Sequence, residues 1–130
     1  MPKSPLRKAK EKLWKLTSIY VRTKDADENG YVKCYTCGEV KHWKEMQAGH
    51  GIAGRKNAVL FDLEILRPQD AKCNMMGRNG EQYIFGRKLN EENGEGWFER
   101  KLIESRQAKK YTIAEIEDMI EAIEGMIEDI

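Results

Sequence analysis

The sequence predicts an α+β fold, with a small core of short strands and helices between a basic N-terminal helix and further C-terminal helices. Three observations lead there. Apolar residues recur at helical spacing near both ends, the middle holds short β-rich stretches punctuated by glycine, and a Cys-x-x-Cys pair sits between two of those stretches. At 130 residues with 40% hydrophobic content, the chain fits one domain whose core is modest, so a covalent or metal staple would help it.

The elements follow in order. Pro2 and Pro5 precede Leu6, Leu13, Leu16 and Tyr20, which predicts a helix from Ser4 to Thr23 with a basic outer face. Asp25 to Gly30 is a turn-rich break. Tyr31-Val32-Lys33-Cys34 reads as a short strand entering the knuckle Cys34-Tyr-Thr-Cys-Gly38, and the chain should return as a second strand through His42, Trp43 and Met46. Gly49, Gly51 and Gly54 predict a loop, while Ala58-Val59-Leu60-Phe61 and Ile65-Leu66 predict extended pieces.

Pro68 should stop any helix, and helices are expected over Asp70 to Met76, Gln82 to Leu89 and Trp97 to Arg106. The C-terminal segment carries the strongest helical signal: Thr112 and Glu115 form a capping box, and Ile113, Ile116, Met119, Ile120, Ile123, Met126, Ile127 and Ile130 share one face. That stripe is expected to pack on the domain, with pairing to a second copy as the alternative. The expected organisation is a single domain: a basic helix over residues 1–25, the core over 26–90 and a helical extension over 91–130.

Charge is polarised along the chain. Residues 1–24 hold eight Lys or Arg against Glu11, a balance of +7, whereas residues 111–130 hold seven Asp or Glu and no Lys or Arg, a balance of −7. The basic end is available to phosphates, unless the two ends neutralise each other. No apolar run approaches the roughly 20 residues that span a bilayer, and the N-terminus lacks the apolar block of a signal peptide, so a soluble cytoplasmic protein is expected.

Three cysteines cannot all pair, and two of them at Cys-x-x-Cys spacing in a reducing compartment suggest a metal. Thiolates so spaced can reach one tetrahedral Zn²⁺ at about 2.3 Å. Cys73 is the remaining thiol, and Asp70 precedes it by three residues, the same ligand spacing with a carboxylate in place of a thiolate. The expected set is therefore Cys34, Cys37, Asp70 and Cys73, with His42 competing for the fourth place. A knuckle of this kind would pin the strand ends and hold His50 opposite Asn74 across a small cleft, the rigid support that a one-metal hydrolytic site needs.

The stretches Cys34-Tyr-Thr-Cys-Gly38, His42-Trp-Lys-Glu-Met-Gln-Ala-Gly-His50, Phe61-Asp62, Pro68-Gln69, Cys73-Asn74 and Tyr83 together resemble the bacteriophage NinG (Rap) recombination proteins, which belong with endonuclease VII and the HNH nucleases. The resemblance implies a zinc-stabilised ββα-metal core. In it, His50 would be the general base on an attacking water, and Asn74 would be a ligand of a catalytic Mg²⁺ or Mn²⁺ separate from the structural zinc. The implied substrates are branched DNAs, Holliday junctions or flaps. Symmetric resolution of a junction would need a homodimer.

The chain departs from that family pattern at several points. Asp70 replaces the usual thiolate, Ile65 stands where a bracing Asn is expected, and Arg67 where a His is common. Gly49 stands where endonuclease VII relatives place a metal-binding Asp, which leaves Asp62 and Glu64 as substitutes. Arg55, Lys56, Arg67 and Arg78, with Arg87 and Lys88, cluster in sequence around the expected site and would position DNA phosphates without reading bases. Trp14, Trp43 and Trp97 are assigned to packing. The rival to an endonuclease is a zinc-stapled DNA-binding or assembly module without catalysis, which Ile65 and Gly49 favour.

Overall fold

A computed structural model of the chain describes residues 2–53, 56–75 and 78–130. Helix α1 (Pro5–Thr23) starts where expected: the Ser4 side chain accepts from the Arg7 amide, and Pro5 occupies the first turn, where its missing N–H costs nothing. Strand β1 (Tyr31–Lys33) pairs antiparallel with β2 (Val40–His42) across the knuckle. A single 3₁₀ turn, Trp43–Glu45, then redirects the chain into β3 (Met46–His50). The expected second strand is thus two strands in two different sheets.

Strand β3 pairs antiparallel with β4 (Leu66–Asp70), setting Gly49 opposite Arg67 and His50 opposite Leu66. Gly49 was expected in a loop and lies inside β3. Its neighbour explains the residue: a Cβ on Gly49 would lie 1.9 Å from Oε1 of the buried Gln69. Pro68 is accommodated in a two-stranded sheet, and its carbonyl accepts from the Tyr35 amide at 2.8 Å, which ties the knuckle to β4.

Between β3 and β4 the run Ala58–Phe61, expected to be extended, instead forms most of the one-turn helix α2 (Asn57–Leu60). Short apolar runs fit either state, and here one turn sends Val59 and Leu60 into two separate clusters. Helix α3 (Ala71–Asn74) follows β4 directly, so β3, β4 and α3 form a β-β-α unit. The expected extension of α3 to Met76, and Gly54 in the preceding loop, lie outside the described residues.

Helices α4 (Gln82–Asn93) and α5 (Trp97–Glu104) form a hairpin around Phe85 and Leu89, both wholly buried. Helix α6 (Ile113–Glu128) begins with the expected capping box between Thr112 and Glu115. It lies along α1, with Ile116, Ile120 and Ile123 buried against Leu13, Leu60 and Phe61. The stripe therefore packs on its own domain. Apolar contact joins these oppositely charged helices, since no ion pair links them among the described residues. Among the described residues no helix is long and apolar enough to cross a membrane.

Candidate metal centre and the His50 cleft

The knuckle between β1 and β2 and the first turn of α3 bring three thiols together. The Sγ atoms of Cys34, Cys37 and Cys73 lie within 4.8 Å of one another. A tetrahedral ion at about 2.3 Å holds its thiolates about 3.8 Å apart, so the group fits Zn²⁺ with small adjustment. Cys34 and Cys73 are wholly buried and Cys37 is exposed. Burial alone would raise the Cys34 thiol, but the amides of Asp70, Cys37 and Thr36 and the Thr36 hydroxyl outweigh it and bring its pKa down to about 7. Burial beside Cys34 pushes Cys73 up to about 11. A cation at this point would resolve the conflict by holding both sulfurs as thiolates.

Asp70 does not enter the thiol group. Its Oδ1 caps α3 by accepting from the Lys72 amide at 2.9 Å, and its Oδ2 meets the Lys41 ammonium at 2.6 Å. The Lys41 hydrogen bond and the Lys72 amide hold its carboxyl below the usual range. What Asp70 gives the centre is its backbone amide, which donates to Cys34 Sγ at 3.2 Å. His42 is also elsewhere: Nδ1 accepts from the Lys44 amide at 3.2 Å, and the ring packs between Tyr31, Trp43 and the bare face of Gly30.

His50 ends β3, Asn74 ends α3, and both line one cleft of about 570 Å³ with Trp14, Ser18, Arg22, Gln47 and Gln82. Three elements fix His50. The Trp14 indole from α1 stacks on its ring with centroids 5.1 Å apart at 13°, Nε2 lies 3.1 Å from the Leu60 carbonyl of α2, and its own carbonyl accepts from Gln82 of α4 at 3.0 Å. A carbonyl only accepts, so the Nε2 contact places a proton on that nitrogen. Across the cleft, Asn74 Nδ2 donates to Gln47 Oε1 at 2.8 Å, which leaves the Asn74 carbonyl oxygen as its acceptor.

The sequence-predicted residues divide on this geometry. Asp62 and Glu64 lie off the cleft and both pair with Lys101, at 2.9 and 3.1 Å. Ile65 is wholly buried in the cluster around Phe85, a site with no use for a polar brace. Arg67 is scaffold: it donates to the carbonyls of Leu63, Glu64 and Leu66, lies 5.4 Å over the Tyr35 ring, and pairs with Glu92 at 2.8 Å. Lys56 and Arg78 are exposed, and Arg55 lies outside the described residues.

Sequence reasoning missed Arg22, Gln47 and Gln82, and it assigned Trp14 to packing alone. Trp14, Ser18 and Arg22 recur at intervals of four, so they occupy one face of α1; the signal was present, but not the identity of the face turned toward His50. Arg22 lies 5.0 Å over the Trp43 ring and donates to the Ser18 and Trp43 carbonyls. Burial lowers its pKa, yet a guanidinium stays charged, so it is a preset cation in the cleft wall. No family model, curated protein or solved structure matches this chain.

Proposed function

We propose that this chain is a zinc-stapled DNA endonuclease that hydrolyses a phosphodiester of branched DNA, a Holliday junction or flap, with His50 as general base. The observation that carries the reading is the bracing of His50 in the cleft wall: with Nε2 held on the Leu60 carbonyl and the ring stacked on Trp14, the imidazole is positioned as the group that would take a proton from water. Arg22 in the same wall would hold the phosphate, and the Asn74 amide oxygen offers a ligand. The choice of branched DNA comes from the resemblance of the ordered motifs from Cys34 to Tyr83 to those of phage recombination nucleases.

Zn²⁺ on Cys34, Cys37 and Cys73 would be structural, joining the knuckle to α3, and its fourth ligand would come from water or from a turn of the Asp70 side chain. Mg²⁺ or Mn²⁺, when bound, supplies stabilisation of the charge on the leaving oxygen. Among the described residues no carboxylate lines the cleft, so the oxygen ligands its side chains offer are neutral, the amides of Gln47, Asn74, Asn79 and Gln82 and the Ser18 hydroxyl. Neutral donors hold such ions weakly, and the negative charge would have to come from the phosphate itself.

The lack of a carboxylate among the described cleft residues is also the observation that favours a second reading, a zinc-stapled DNA-binding module without catalysis. One experiment separates the two. Purified full-length protein is incubated with a labelled four-way junction, a flap and a plain duplex, with Mg²⁺, Mn²⁺ or no added ion, alongside His50→Ala. Metal-dependent nicking of the branched DNAs that falls at least about 100-fold in the variant supports the endonuclease, since a general base contributes roughly 10²–10⁴-fold. Binding without cutting in either metal supports the module.

A further inference from the structure

Beside the His50 cleft stands a short segment that the reading above does not use. Asn79, Gly80 and Glu81 follow one another at φ 51°, 78° and 52°, so three successive residues, two of them not glycine, are left-handed. Asn tolerates that region, but Glu81 is strained in it, and such strain persists only where the surroundings impose it. Here the constraint is the wholly buried Gln69, whose amide donates at 2.9 Å to the Gly80 carbonyl and at 3.0 Å to the Thr36 hydroxyl of the knuckle.

The strained turn sets the first residues of α4. Gln82 points into the cleft and holds the His50 carbonyl, while the next side chain, Tyr83, points out and is 79% exposed, more than any other large apolar or aromatic residue described. The Arg87 guanidinium lies 5.8 Å over the Tyr83 ring, Arg78 opens the strained turn, and the exposed Met75 lines the same cleft. Among the described residues the ion pairs of both arginines are long, at 3.8 Å to Glu81 and 4.0 Å to Glu91, and water and salt weaken such pairs.

We propose that Tyr83, with Arg78 and Arg87, is a binding site for an unpaired nucleotide of a DNA branch, stacking its base while the guanidiniums hold the flanking phosphates. The proposal rests on the nucleic-acid reading of the His50 cleft and adds to it the feature of the substrate that is recognised. Bases inside a duplex keep their faces covered, so an exposed ring one residue from the cleft wall selects strands with an open base at the branch. The strained turn aims the platform. Tyr83 is then a specificity residue and takes no part in proton transfer.

The test is equilibrium binding without added Mg²⁺ or Mn²⁺, using the full chain with its zinc, a labelled flap with 2-aminopurine as the first unpaired base, and a plain duplex. Tyr83→Ala should weaken flap binding by roughly 5- to 150-fold and abolish 2-aminopurine quenching, the range found for loss of one stacked base. It should change duplex binding less than about 2-fold. Tyr83→Phe and Tyr83→Trp should keep flap affinity and quenching. Because Tyr83 is exposed, all three variants should melt with the parent.

Equal flap affinity for Tyr83→Ala and parent, equal losses on flap and duplex, or a parent that binds no DNA would each overturn the proposal. A parent that binds flaps through Tyr83 yet cuts nothing in either metal would overturn the endonuclease reading and leave this one standing.

Discussion

Gly49 shows how one residue is dictated by a neighbour across the sheet. Gln69 lies opposite Gln47 in the register, yet its side chain crosses the face of Gly49, where a Cβ would meet Oε1 at 1.9 Å. An Asp at this position would therefore displace Gln69 and with it the clamp on Gly80. Gly49→Ala is expected to cost about 1–3 kcal/mol by overpacking. Since both residues share one contact, Gly49→Ala in a Gln69→Ala background should cost almost nothing further. Urea unfolding of the two single variants and the double variant measures this, and additive losses would show that the two sites are independent.

At the scale of elements, α6 separates what local pattern decides from what it leaves open. Thr112, Glu115 and the isoleucine stripe were legible because a cap and a 3.6-residue period are properties of one segment. The partner of the stripe was not, since an apolar face is served equally by α1 or by another copy. The structure uses α1: Ile116 is wholly buried against it, whereas Glu121 is exposed. Ile116→Ala should cost about 2–5 kcal/mol and Glu121→Ala less than about 0.5 kcal/mol, read as shifts in the urea midpoint. A small loss for Ile116→Ala would place the stripe in contact with something other than α1. The opposite case is Ala58–Phe61, whose four residues carry no period and whose helical turn follows from the two clusters that Val59 and Leu60 fill.

At the scale of the molecule, the thiol group and the helix pair stabilise different parts. Val32, Cys34, Met46 and Cys73 make a small cluster around the thiols, with Ala26 and Trp43 packed on it, and a metal would add to its apolar contact. The α1–α6 contact has its own apolar cluster. Protein purified without chelator should carry one Zn²⁺ per chain by native mass spectrometry. Its removal should lower Tm by at least about 10 °C, since a few kcal/mol at this size correspond to about 3–4 °C each, while much of the helical circular dichroism is retained. Unchanged melting after chelation would mean that the three thiols are a buried cluster and not a staple.

The sequence by itself determined the α+β class, the helices at both ends, the capped start of α6 and the Cys34–Cys37 knuckle, because each depends on spacing along a few residues; His50 and Asn74 came forward together through the order of motifs that carries the resemblance. Only the tertiary structure decided that Asp70 pairs with Lys41, that Arg67 serves as scaffold, that Trp14 and Leu60 fix the His50 ring while Gln82 holds its backbone carbonyl, and that Tyr83 stands exposed at the start of α4. Those outcomes depend on which distant groups share a small space. Carboxylates, guanidiniums and aromatic rings have several partners available in the sequence, and the packing of α1, α2 and α4 around β3 selects among them.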